Sequence, residues 1–80
     1  MNREDIRARI SKALDESWGC HHVQLERLDN QVADLGFDSL DMVEARMVVE
    51  DEFGVEIDDD SFDACKTVGD IVDLVARRHG

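Results

Sequence analysis

The sequence predicts an all-α fold: a small four-helix bundle with a long loop between the first and second helices and a short third helix. Proline is absent, so helices can run without an internal break. Glycine falls at Gly19, Gly36, Gly54 and Gly69 and divides the chain into four helical stretches. Within them apolar residues recur three and four positions apart, the period of one helix face. No internal repeat or low-complexity segment interrupts this pattern.

In the first stretch Ile6, Ile10, Ala13 and Leu14 share a face, Trp18 follows closely, and Arg7, Arg9 and Lys12 take other faces. This places the first helix at about Arg3 to Ser17. From Gly19 to Phe37 the apolar residues Val23, Leu25, Leu28, Val32 and Leu35 are too irregular for one amphipathic helix. A long loop anchored by those side chains, with room for a short helical turn, is expected there. The second helix should begin at Asp38, whose carboxylate can cap free backbone N–H groups, with Asp41 favoured in the first turn by the helix dipole. Gly54 should end it after Phe53. Val55 to Ile57 reads as a short extended link, and Asp58 to Asp60 as the acidic start of a brief third helix reaching about Ala64. The fourth helix opens on a capping-box pattern, Thr67 with Asp70, and carries Val68, Ile71, Val72 and Val75 on one side. It closes with Arg77 and Arg78 near its negative end.

Eighty residues are expected to form one domain, spanning 1–80. A chain of this size buries about 60 to 65% of the surface its unfolded form exposes, so the core is modest and a deep preformed active-site cleft is not expected. The net charge of −11 repels nucleic acid and anionic lipid and favours partners with basic patches. Between Asp38 and Asp63 eleven acids stand against one base, Arg46, so nearly all of that charge lies in one central stretch. Taken alone, such a stretch is an ordinary solvated acidic face. Two cysteines are too few for a disulfide-stapled scaffold, and there is no apolar leader or membrane-spanning run. These features lead us to expect a cytoplasmic monomer with reduced thiols, without stable membrane insertion.

The second helix carries more apolar surface than one buried stripe requires. Met42, Ala45, Val49 and Phe53 cluster on one side, and Leu40, Val43 and Met47 on nearly the opposite side. The stripe ending in Phe53 is longer and extends to an aromatic, so it is expected to face the core, leaving Leu40, Val43 and Met47 at least partly exposed among Asp41, Glu44, Glu50 and Asp51 as a docking surface. The alternative is that both stripes are buried, the second beneath the long loop.

Ser39 stands in the first turn of this helix, where a phosphate ester would lie near backbone N–H groups. A serine at a helix start is ordinarily a cap or a surface residue. Nucleophilic catalysis would need a base, yet the sequence neighbours of Ser39 are carboxylates, and Gly36-Phe37-Asp38-Ser39 is not a nucleophile elbow.

The run Leu35-Gly36-Phe37-Asp38-Ser39-Leu40-Asp41, followed by Val43-Glu44 and by Glu52-Phe53-Gly54-Val55-Glu56-Ile57, resembles the acyl carrier protein family. The similarity extends over nearly the whole chain. It implies that an external phosphopantetheinyl transferase moves 4'-phosphopantetheine from coenzyme A onto Ser39, and that the arm's thiol then carries an acyl group as a thioester. It also implies that the acidic second helix, through Asp38, Leu40, Asp41, Val43, Glu44 and Met47, docks on basic patches of acyl synthases, reductases and transferases. Glu50 and Asp51 are secondary candidates. The chain departs from the family pattern in Asp58 where a proline is usual, in Arg46 within the acidic helix, and in Gln31 where a large apolar residue is usual. The expected function is therefore a discrete carrier, itself no enzyme, in fatty acid or related lipid or polyketide biosynthesis. The alternatives are a peptidyl or aminoacyl carrier of a nonribosomal pathway, and an unmodified acidic helical adaptor.

Two further patterns suggest metal binding and fall short of it. Cys20-His21-His22, with Cys65, lacks the paired spacing of a zinc site. Asp58-Asp59-Asp60-Ser61-Phe62-Asp63 has a calcium-loop composition but neither the glycine nor the distal glutamate such a loop needs. No metal site is expected.

Overall fold

The computed structural model describes residues 2–17 and 28–79. Four α-helices account for most of them: α1 (Arg3–Ser17), α2 (Ser39–Phe53), α3 (Asp59–Asp63) and α4 (Val68–His79). The expected all-α bundle is what forms, and local chemistry explains each boundary. Asn2 opens α1 by accepting the Asp5 N–H on its side chain at 2.8 Å, a cap that the sequence pattern did not single out. Asp38 caps α2 and exchanges bonds with Asp41: its carboxylate accepts the Asp41 N–H at 2.8 Å, and the Asp41 carboxylate accepts the Asp38 N–H at 3.3 Å. At the other end Gly54 adopts a left-handed conformation, φ 65°, and donates its N–H to the Glu50 carbonyl. Asp58 caps α3 by accepting from both the N–H and the hydroxyl of Ser61, at 3.2 and 2.8 Å.

The start of α4 is held twice over. The Thr67 hydroxyl accepts the Asp70 N–H at 3.1 Å, while the Asp70 carboxylate accepts the N–H groups of Lys66 and Thr67 at 3.0 and 3.1 Å. Those two backbone donors hold the Asp70 carboxyl below the usual carboxylate value of 3.8, and the Ser61 hydroxyl and N–H do the same for Asp58. Both groups are depressed in the folded state, so their contribution to stability is complete above pH 3.8 and is lost as pH falls through the lower, folded values. Thermal unfolding of the wild type and of Asp70→Asn should accordingly differ at neutral pH and converge as pH drops below that point. A difference that stays constant with pH would show that the Asp70 caps do not act through its charge.

The core lies between α1, α2 and α4. Ile6, Ile10 and Leu14 from α1 meet Ala45, Val49 and Phe53 from α2 and Ile71, Val72, Leu74 and Val75 from α4. Ile57 from the link, Phe62 from α3 and Val68 close it. Among the described residues no polar or charged side chain is buried, so apolar burial carries the fold. At the end of α2 the Arg9 guanidinium lies 4.5 Å from the Phe53 ring centre and pairs with Glu52 at 2.7 Å, while His79 and Phe53 meet edge-on with ring centres 6.2 Å apart.

The connection before α2 is fixed wherever it is described. Gln31 forms an antiparallel bridge with Thr67, Val32 donates to the Lys66 carbonyl at 2.8 Å, and Gly69 donates to the Leu28 carbonyl at 2.7 Å. Val32–Leu35 forms one 3-10 turn, which Gly36 ends at a left-handed φ of 74°. Leu28, Val32 and Leu35 pack against the core as anchors, in agreement with the expected loop. Trp18, Cys20, His21, His22, Val23 and Leu25 lie outside the described residues.

Candidate functional site

Ser39 is the first residue of α2 and is exposed. The capping duty that usually explains a serine at this position belongs here to Asp38 and Asp41. Among the described residues nothing hydrogen-bonds the Ser39 hydroxyl. The Asp41 N–H is taken by the Asp38 side chain and the Met42 N–H by the Asp38 carbonyl. The N–H groups of Ser39 and Leu40 therefore remain open at the positive end of the helix, next to an unengaged hydroxyl.

A groove of about 720 Å³ opens beside this serine. One wall is the α2 face bearing Ser39, Met42, Val43 and Arg46; Asp59, Phe62 and Asp63 of α3 stand opposite, and the segment around Val32 and Phe37 completes it. Beneath it the protein is close-packed: the gap among Phe37, Met42, Phe62 and the inner faces of α1 and α2 measures only about 10 Å³. Cys65 lines the same groove half-buried; its Sγ donates to the Ser61 carbonyl, and desolvation pushes the thiol pKa up, which favours the protonated form.

On its outer side α2 leaves Leu40, Val43 and Met47 at 65, 44 and 54% exposure, whereas Ala45, Val49 and Phe53 are buried. The reading in which both stripes are buried is thereby excluded. Asp38 and Glu44 are exposed among these apolar side chains, with Asp41 half-exposed. Asp51 is also exposed, but Glu50 turns inward, where its carboxylate accepts the Ile57 N–H at 2.8 Å and pairs with Arg46 at 3.1 Å. Arg46 likewise turns off the acidic face, its guanidinium donating to the Ile57 carbonyl at 3.1 Å and pairing with Asp59 at 2.7 Å. The one base of the acidic stretch thus ties α2 to α3 and leaves the outer face uniformly acidic and apolar. Among the described residues no group of histidines, cysteines and carboxylates is placed to hold a metal ion. The Cys20-His21-His22 pattern lies outside them.

The family model for the phosphopantetheine attachment site matches residues 5–75. The chain belongs to the acyl carrier protein family. It is 37% identical over 79 residues to the acyl carrier protein of Thermotoga maritima, covering 99% of this chain and 98% of that one. A crystal structure of an acyl carrier protein from Thermotoga maritima superimposes with a TM-score of 0.84 at 29% identity, over 98% of this chain and 91% of that one. An acyl carrier protein takes 4'-phosphopantetheine as its cofactor, and a site for that group needs an accessible hydroxyl, donors for a phosphodiester and a surface along which a long arm can lie. Ser39, the open N–H groups beside it and the adjoining groove meet those three requirements. The groove wall is the part of this carrier that sequence reasoning did not reach. Phe62, Asp59 and Lys66 reach it from α3 and the segment that follows, distant in sequence from Ser39.

Proposed function

We propose that this chain is a discrete carrier domain that holds acyl intermediates as thioesters on a 4'-phosphopantetheine arm attached to the Ser39 hydroxyl, in fatty acid or a related lipid or polyketide biosynthesis. The observation that carries this reading is the placement of Ser39: exposed, free of capping duty, and lining the groove. When bound, the arm supplies a thiol that forms and exchanges thioesters. The protein's own residues present the attachment hydroxyl, offer N–H groups to the phosphodiester and shelter the arm along α2.

The test is the intact mass of the folded protein before and after incubation with coenzyme A and a broad-specificity phosphopantetheinyl transferase. One prosthetic-group increment, gained in the incubation or already present, supports the carrier. None under either condition favours an acidic helical adaptor that acts unmodified.

The exposed face of α2 is, in the same reading, where the transferase and the acyl synthases, reductases and transferases dock. Asp38, Leu40, Asp41, Val43, Glu44 and Met47 meet basic patches on those enzymes. A carrier that visits several enzymes needs encounters that are fast and easily reversed, which acid-to-base steering provides. Reversing one charge, as in Glu44→Lys, should slow association with the transferase by about tenfold at low salt and less at high salt. Stopped-flow measurement over a salt series checks this, and an unchanged association rate at low salt would remove Glu44 from the docking face.

A further inference from the structure

The groove beside Ser39 is lined by three carboxylates, Asp38, Asp59 and Asp63, and by two cations, Arg46 and Lys66. The Arg46 guanidinium is already engaged: it pairs with Asp59 at 2.7 Å and Glu50 at 3.1 Å, and donates to the Ile57 carbonyl at 3.1 Å. Lys66 differs. Its side chain is exposed, and among the described residues its ammonium has no carboxylate partner. Asp70 feels that charge but commits its own carboxylate to the backbone N–H groups of Lys66 and Thr67. The root of the lysine is nevertheless fixed. Its N–H donates to Asp70 at 3.0 Å, and its carbonyl accepts the Val32 N–H at 2.8 Å, beside the bridge between Gln31 and Thr67. The 3-10 turn that begins at Val32 leads through Gly36 to Asp38 and Ser39. Backbone ties thus hold Lys66 against the segment that delivers the serine, while its charged end stays unclaimed.

We propose that Lys66 is the counter-charge for the phosphodiester of the arm, its ammonium pairing with the phosphate once the arm is joined to Ser39. This rests on the carrier reading of Ser39. A phosphodiester there places a full negative charge next to Asp38, in a groove that Asp59 and Asp63 also line. The open N–H groups of Ser39 and Leu40 offer donors, but only the partial charge of a helix end. Among the described residues lining the groove, Lys66 alone brings a whole positive charge that no carboxylate already holds. A lysine suits this task, because its ammonium acts on phosphate as a point charge on a flexible stem and needs no fixed orientation. Lys66 is therefore a positioning residue. It draws the root of the arm toward the segment between α3 and α4 and offsets the repulsion from Asp38.

Lys12 and Lys66 are the only lysines in the chain, so carbon-13 labelling at the lysine ε-carbon gives two signals, with Lys12 on α1 as the internal reference. The wild type, Lys66→Gln and Lys66→Arg are first loaded with coenzyme A and the transferase and checked by mass, which tests the carrier reading separately. On loading of the wild type the Lys66 signal should move and the Lys12 signal stay. Inorganic phosphate added to the unloaded protein should leave both in place, since nothing then tethers the anion at Ser39. Thermal midpoints of the loaded and unloaded forms complete a double-mutant cycle. Lys66→Gln keeps both backbone ties and so keeps the fold. Loading should lower its midpoint by about 1 to 8 °C relative to the change that loading makes in the wild type, the range an exposed ion pair contributes in a domain of this size. That gap should shrink at high salt, and Lys66→Arg should follow the wild type. The proposal is overturned by a Lys66 signal that stays in place on loading, by an equal response to free phosphate, or by a loading effect on the midpoint that is the same with and without the lysine charge.

Discussion

Replacing Ser39 with alanine should abolish uptake of the phosphopantetheine arm while leaving the fold intact. The two halves of that expectation come from separate observations. The loss is complete because a methyl group offers no oxygen for a phosphoester. The fold persists because the Ser39 side chain is exposed and Asp38 with Asp41 supplies the cap. Alanine is moreover the best of the helix formers. Substitution at such a surface position ordinarily changes stability by no more than about 0.5 kcal/mol. Intact mass after transferase treatment, together with the thermal midpoint by circular dichroism, reads both halves at once. An increment that survives in Ser39→Ala would move the attachment to another hydroxyl. A variant that unfolds would mean Ser39 supports α2 in a way its exposure does not suggest.

Ile57→Ala should be among the most damaging single changes to stability. Ile57 is 2% exposed and sits in the link between α2 and α3, with its N–H held by Glu50 and its carbonyl by Arg46. Truncation leaves those backbone bonds in place and empties a packed site, at a cost of about 2 to 5 kcal/mol. A domain of this size has only about 4 to 12 kcal/mol in total. Urea denaturation would show the midpoint falling with little change in slope. A loss below about 0.5 kcal/mol, the size of an ordinary surface change, would show that the link is not part of the core.

Helix boundaries were legible in the sequence because they depend on chemistry within a few residues. The Asp38–Asp41 and Thr67–Asp70 pairs, the Asp58 cap and Gly54 each act on backbone groups no more than four positions away. The two stripes of α2 were harder. Periodicity finds both, the greater length and the terminal aromatic of the Phe53 stripe point it to the core, and the assembled core shows that Ala45, Val49 and Phe53 fill the interior while Leu40, Val43 and Met47 are left outside. The groove could not be read at all, since its walls join residues near 32, 39–46 and 59–66 that meet only in the folded chain. Arg46 shows the limit most clearly. On a helical projection it interrupts the acidic face, yet its long side chain reaches past its own position to Asp59 and Ile57. Glu50, a secondary docking candidate in the sequence, is drawn inward by the same arrangement.

The corner where Arg9 and His79 meet Phe53 lies at the opposite end of α2 from Ser39, about 21 Å away along the helix axis. A tag, dye or tether joined through the last turn of α4 therefore leaves from the pole remote from Ser39. Immobilised through that pole, the molecule would present the Ser39 end of α2 outward, an orientation suited to measuring partner enzymes at a surface.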